Sequence, residues 1–167
     1  MADFLTGYSI TQPNKLAMID DRPDGTVRSL TFAQLNERSN RLANVLLGMG
    51  VLPGESKVVW CGQNSIGVVL MVNAARKLGV TAVPLNYRLS DEEAAYVTDH
   101  CDATIVYVDA EFAPMFTRIR GQLPKVQQYL VLDGAAPEAM IDVDRLIDIA
   151  PRSEPNIPET TEAGATM

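Results

Sequence analysis

Apolar positions along this chain switch between two spacings, and most switches coincide with a turn signal. Residues 15–20 and 27–31 alternate like short strands, and Asp24-Gly25 between them predicts a hairpin. Thr31 then opens a helix. Thr31 and Gln34 fit a capping box, in which hydroxyl and amide satisfy orphan backbone donors. Leu35, Leu42, Val45, Leu46 and Met49 fall mostly on one helical face, and Gly50 follows where a left-handed cap is wanted. Pro53-Gly54 is a turn.

A parallel-sheet pattern follows. Residues 57–61 are a short Val-rich run that predicts a buried strand. The pattern continues with a helix over 64–78 capped by Gly79, and a strand over 80–85. A helix opened by the Ser90/Glu93 capping box runs to His100, and a strand covers 103–108. A helix over 112–123 tolerates Pro114 in its first turn, and a strand at 128–132 and a short helix at 142–149 complete the series. Strict alternation implies an α/β fold: a doubly wound, mostly parallel sheet with helices on both faces, plus the small N-terminal hairpin. Residues 1–150 form that domain. From Pro151 the chain turns polar and proline-rich, so 151–167 reads as a linker, extended and exposed through 161, with 164–167 fraying or adding an edge strand.

Composition narrows the function. The chain has 167 residues, 47% hydrophobic and 21% charged, which suits one ordinary globular domain. With 14 basic against 21 acidic residues, the net charge of −7 argues against nucleic acid or an anionic membrane as partner. The uncharged run at 58–75 contains Gln63, Asn64, Ser65 and Asn73, too polar for a transmembrane segment. No basic cluster precedes an apolar run at the N-terminus, so a cytoplasmic protein is expected. Two cysteines, Cys61 and Cys101, and one histidine, His100, are too few for a Cys/His metal cluster, and the cysteines read as buried free thiols.

Bottom-up, the candidate chemistry is thin. The stretch 62–67 follows a strand and opens a helix, where open α/β sheets bind phosphates. It lacks the Walker Gly-Lys-Ser/Thr ending and the third glycine of the dinucleotide fingerprint, so it reads as a helix cap by Asn64 or Ser65. His100 and Cys101 are sequence neighbours whose side chains diverge, which makes no catalytic dyad. Asp20-Asp21 beside a turn and Asp91-Glu92-Glu93 in a helix first turn read as solvated acids. Arg76-Lys77 sits in a last helical turn, where the dipole favours cations. Trp60 ends a buried strand and reads as core.

Two segments go further. Leu30-Thr31-Phe32-Ala33-Gln34-Leu35 with Asn40-Arg41-Leu42-Ala43 resembles the first core motif of adenylate-forming enzymes, the family of acyl-CoA synthetases, luciferases and peptide-synthetase adenylation domains. The run from Arg76-Lys77-Leu78-Gly79 to Val83-Pro84-Leu85 resembles their second core motif. Gly50-Val51, Pro53-Gly54-Glu55 and Gln63-Asn64-Ser65 match in register between them, and the resemblance covers about residues 10–135. Asn86-Tyr87-Arg88-Leu89-Ser90 is similar to the acyl-CoA synthetase branch, which implies a fatty or aryl acid rather than an amino acid.

The resemblance implies a ligase that joins a carboxylic acid to AMP and then to CoA, using ATP and Mg²⁺. It also implies that the family's phosphate loop, adenosine motif, ribose-binding Asp and catalytic Lys lie beyond Met167. On that reading these residues are the N-terminal subdomain, a scaffold and pocket wall whose partner is the rest of its own chain. It carries no catalytic, cofactor or metal residues of its own, and it admits a homodimer. Its pocket candidates are Trp60, Asn64, Ser65, Leu85, Asn86 and Tyr87, at the C-terminal ends of two strands. The alternative is a self-standing α/β binding or interaction module derived from the same fold.

Overall fold

The computed structural model describes residues 4–22 and 24–157. A helix α1 (Phe4–Thr11) precedes an antiparallel hairpin of β1 (Leu16–Asp21) and β2 (Val27–Thr31). Gly25 takes the left-handed conformation the turn requires. Thr31 caps α2 (Phe32–Gly48) with both halves of its capping box made. The Gln34 N–H donates to the Thr31 hydroxyl at 3.3 Å, and the Thr31 N–H donates to Gln34 Oε1 at 2.9 Å. The helix closes in a Schellman turn, with the Val51 N–H on the Leu46 carbonyl and Gly50 left-handed.

The five-stranded sheet has the order β4-β3-β5-β6-β7, all parallel, from β3 (Lys57–Cys61), β4 (Thr81–Leu85), β5 (Ile105–Asp109), β6 (Gln128–Leu132) and β7 (Ile141–Asp142). Strand residues alternate between two cores. Val58, Ile105, Tyr107, Leu130 and Leu132 face α2, α3 (Ile66–Leu78) and α6 (Val143–Ile149). Val59, Cys61, Val106, Val108, Tyr129 and Val131 face α4 (Asp91–His100) and α5 (Ala113–Ile119). Burial of side chains such as Leu42, Leu46 and Phe116, each fully enclosed, contributes about 1.5–3 kcal/mol apiece. The predicted doubly wound sheet and hairpin are thus present. No helix among the described residues is long and apolar enough to cross a membrane.

The differences from expectation are local. Helix α1 went unread because it is short, contains Gly7 and buries only Leu5. The two-residue β7 is too brief to show a period. The strand expected from 103 begins at Ile105, because the Ala103 N–H is spent on the Thr98 carbonyl at the end of α4. The helix expected over 112–123 tightens into a 3₁₀ turn at Arg120–Gln122, where Gly121 is a poor helix former and Pro124 forbids continuation. Residues 151–157 are irregular and mostly exposed, in line with an extended segment. The expectations for 158–161 and 164–167 lie outside the described residues.

Helix α3 crosses β6 so closely that a Cβ on Gly67 would overlap Leu132 Cδ1. Gly67→Ala is therefore expected to lose about 1–2 kcal/mol in urea unfolding, overpacking outweighing the gain in helix propensity. Gly48→Ala, where a Cβ meets open space, should be neutral or gain up to about 1 kcal/mol in the same measurement.

Candidate functional site

Strand order reverses between β3 and β5: the chain leaves β3 towards β4 on one side, then crosses back to β5 on the other. Open α/β sheets bind ligands in the crevice outside the strand C-termini at such a point. Here the crevice is a cleft of about 480 Å³ between the sheet edge and the overhanging hairpin. Its floor is Asp109, the last residue of β5, only 8% exposed. The Gln63 N–H donates to Asp109 Oδ2 at 2.9 Å, and Gln63 Nε2 donates to Glu111 at 3.0 Å. Gly62 is required beneath it, since a Cβ there would lie 2.5 Å from the Asp109 carboxyl carbon. Burial pushes the Asp109 carboxyl above the ordinary carboxylate range.

The roof is built from charge pairs. Asp20 on β1 is buried, with its side chain 3% exposed. It accepts from Arg28 Nη2 at 2.8 Å and from the Ile66 N–H at 3.1 Å, and Arg22 Nε lies 3.4 Å away. Asp133, just past β6 and left-handed, accepts from both Arg28 nitrogens at 2.7 and 3.0 Å and also pairs with Arg22. Hydrogen bonding from Arg28 holds the Asp133 carboxyl below its ordinary range. The Asp133 N–H in turn donates to Asp144 Oδ2 at 2.7 Å, and burial raises the Asp144 carboxyl.

Asp20 is a correction to the sequence reading: it is a buried tie, and only its neighbour Asp21 is solvated. Asp109, Asp133 and the two arginines were not anticipated as site residues, and Gln63 was considered only as part of the stretch 62–67. The available signal was an Asp closing each of two buried strands.

The anticipated pocket residues divide. Asn64 and Tyr87 meet in a cleft of about 260 Å³ with Asp21, Arg22 and Gln63. Asn64 and Ser65 also line a groove of about 420 Å³ against Met18, Ile19, Val68 and Val69. Ser65 is buried and caps α3, accepting the Val68 N–H at 3.3 Å. Tyr87 stacks on Phe112 at 4.8 Å, with the Arg88 guanidinium 5.3 Å from its centroid. Trp60 and Leu85 point into the two cores, and Asn86 Oδ1 accepts the Arg88 N–H in a turn. None of those three lines the clefts described. Cys61 is buried, its thiol pushed up to about 12 by burial, while Cys101 is only half-buried. Asp91 pairs with Arg118 at 2.6 Å on the surface, and His100 stacks on Tyr96.

The charges at the sheet edge are largely paired among themselves. Both arginines are engaged by Asp20 and Asp133, and Asp109 and Glu111 add negative charge. Among the described residues no group of three His, Cys, Asp or Glu side chains could hold a metal ion.

Asp20→Ala is expected to cost about 2–4 kcal/mol, because it strands the Ile66 N–H and leaves both arginines with Asp133 as their remaining carboxylate. Urea unfolding measures the loss, and amide exchange at Ile66 should rise first. Asp109→Asn keeps an acceptor for Gln63 and removes a buried charge. A carboxyl raised in the folded state opposes folding above its folded pKa, and that penalty vanishes below the unfolded value near 4. The variant should therefore be more stable than the parent at pH 7, with the gain shrinking towards pH 4. A loss at pH 7 would contradict the burial argument.

The model of the AMP-binding enzyme family matches residues 9–163. A crotonobetaine/carnitine–CoA ligase of Citrobacter koseri is 34% identical over 106 residues, 64% of this chain and 20% of that protein. A 3-hydroxybenzoate–CoA ligase of an Aromatoleum species is 33% identical over 138 residues, 81% of this chain and 26% of that protein. The structure of a Mycobacterium tuberculosis fatty acyl CoA synthetase superposes with a TM-score of 0.79 at 25% identity, covering 92% of this chain and 29% of that one. The chain thus spans about a fifth to a quarter of the curated relatives it matches. With the family model running through the hairpin, the sheet and the segment beyond α6, the chain belongs to the AMP-binding enzyme family.

Proposed function

We propose that the protein is an ATP-dependent carboxylic acid–CoA ligase working through an acyl-adenylate, and that these residues serve it as scaffold and pocket wall. The observation that carries this is the continuous family match over 9–163, supported by relatives named as CoA ligases. Residues 1–150 are the scaffold subdomain and 151–167 lead out of it.

The charge pattern agrees with a supporting role. Adenylation needs donors and a metal around the α-phosphate while pyrophosphate leaves. The arginines at the sheet edge are already neutralised in holding the hairpin. The wall's contribution is shape: Asn64 and Ser65 beside the apolar Met18, Ile19, Val68 and Val69, with Tyr87 in the cleft that shares Asn64. Ile19 is 59% exposed and Val72 on α3 is 37% exposed, apolar area that a self-standing module would be expected to cover. The relatives name a carnitine-type, an aryl and a fatty acid, and we read the acid here as fatty or aryl.

Pyrophosphate exchange with a panel of fatty, aryl and small polar acids tests the reading. The ligase carrying these residues should exchange with one class. The 167-residue chain should show neither exchange nor micromolar Mg-ATP binding by titration calorimetry. Exchange above background from the 167-residue chain would overturn the scaffold role, and no exchange from the ligase with any acid would overturn the activity.

A further inference from the structure

The proline-rich segment after α6 is a fastened strap. Side chains on one side of α2 reach its carbonyls, which have no sheet or helix partner. Asn44 Nδ2 donates to the Pro151 and Ser153 carbonyls at 2.9 and 3.0 Å, and Asn40 Nδ2 donates to the Arg152 carbonyl at 3.1 Å. Arg41 Nη1 donates to the Asp148 and Ala150 carbonyls at 2.8 and 2.9 Å, where α6 ends. The spacing 36, 40, 44 places three asparagines in one row along α2.

Glu154 is the knot. Its Oε1 accepts from Asn36 Nδ2 at 3.0 Å and Asn40 Nδ2 at 3.1 Å, and the Thr6 hydroxyl lies 3.2 Å away. Its Oε2 accepts from Lys77 Nζ at 2.8 Å. The Lys77 side chain is only 2% exposed, so one carboxylate gathers a buried ammonium from α3, two amides from α2 and a hydroxyl from α1. Three residues on, Ile157 packs against the core on the α2 side. Fixing a chain segment costs about 1–2 kcal/mol per residue in backbone entropy, and a mere spacer would not repay that. The family match continues through this strap to residue 163, so the strap belongs to the region the family shares.

We propose that Glu154 is a positioning residue of the ligase: with Lys77, Asn36 and Asn40 it fixes the path on which the chain leaves Ile157, and so sets the placement of the nucleotide-binding part relative to this sheet. The proposal rests on the ligase reading above. Glu154 acts through the strap, and no contact with substrate is assigned to it.

The test has two arms. In the first, limited trypsin digestion of the 167-residue chain compares the parent with Glu154→Ala and with the double variant Lys77→Met, Glu154→Gln. The double variant removes both charges of the Lys77–Glu154 pair, and urea unfolding of the same proteins separates loss of the clamp from loss of folding. Cleavage after Arg152, in the strap, should be about tenfold faster or more in both, with the sheet core resistant. Unchanged cleavage in the strap overturns the clamp.

In the second arm, the ligase carrying these residues is assayed with the same substitutions. The KM for ATP should rise about fivefold or more while the KM for the acid stays within about twofold. Glu154→Gln alone, which keeps the asparagine donors, should fall between parent and Glu154→Ala. A fast-cleaved strap with an unchanged KM for ATP overturns the positioning role. An active parent with insensitive variants sinks this proposal alone. A parent inactive with every acid sinks the ligase reading instead, and the proteolysis arm still decides the clamp.

Discussion

The Asp20 carboxylate joins two pieces of chain that fold on different principles. The hairpin is a two-stranded ribbon, marginal in water by itself. The sheet with its helices is a packed α/β layer structure. Asp20 reaches from the first to the N-terminus of α3 in the second, where the Ile66 N–H and the helix dipole favour negative charge. A charge this deeply buried is tolerable only with close partners, and Arg28 and Arg22 supply them from the same hairpin. Those arginines are held from the far side by Asp133, at the end of β6. The hairpin is thereby pinned over the reversal point of the sheet, and the clefts along that edge exist because it overhangs there.

This tie also explains which parts of the molecule could be read from sequence. Strands, helix caps and the hairpin turn are local events. The Thr31/Gln34 and Ser90/Glu93 boxes and the glycines at 50 and 79 act within a few residues, so their signatures survive without tertiary knowledge. The hairpin's orientation is not local. In β1 the polar Asp20 is 5% exposed and the apolar Ile19 is 59% exposed, the inverse of ordinary alternation. A strand that docks on a polar sheet edge buries its polar face, and nothing within the strand announces what it will dock on. Local rules broken in this way tend to mark functional or strained places.

The candidate pocket failed in part for a related reason. Trp60 and Leu85 were placed at strand ends, which is where clefts form. Alternation still turns each side chain to one face of the sheet, and both faces here are covered by helices. The residues that border the clefts come two or three positions past the strand ends, once the chain has left the ladder: Gln63, Asn64 and Tyr87. Asp109 is the exception, still within β5 yet turned to the edge, because Gly62 leaves room for its carboxyl and the Gln63 N–H receives it.

The same electrostatics bear on how phosphate could be recognised. Arg22 and Arg28 line the cleft at the reversal point, and a polyanion could take them only by displacing Asp20 and Asp133. Displacing the buried Asp20 costs about 2–4 kcal/mol, and here it would also loosen the hairpin that shapes the groove. An anionic ligand therefore gains little from the sheet edge. The charges at the edge are engaged in holding the hairpin in place. The segment after α6 is held by the same means: Glu154 on it gathers the buried Lys77 with Asn36 and Asn40, and Asn44 takes its carbonyls, so that a stretch with no secondary structure of its own is fixed by side chains alone.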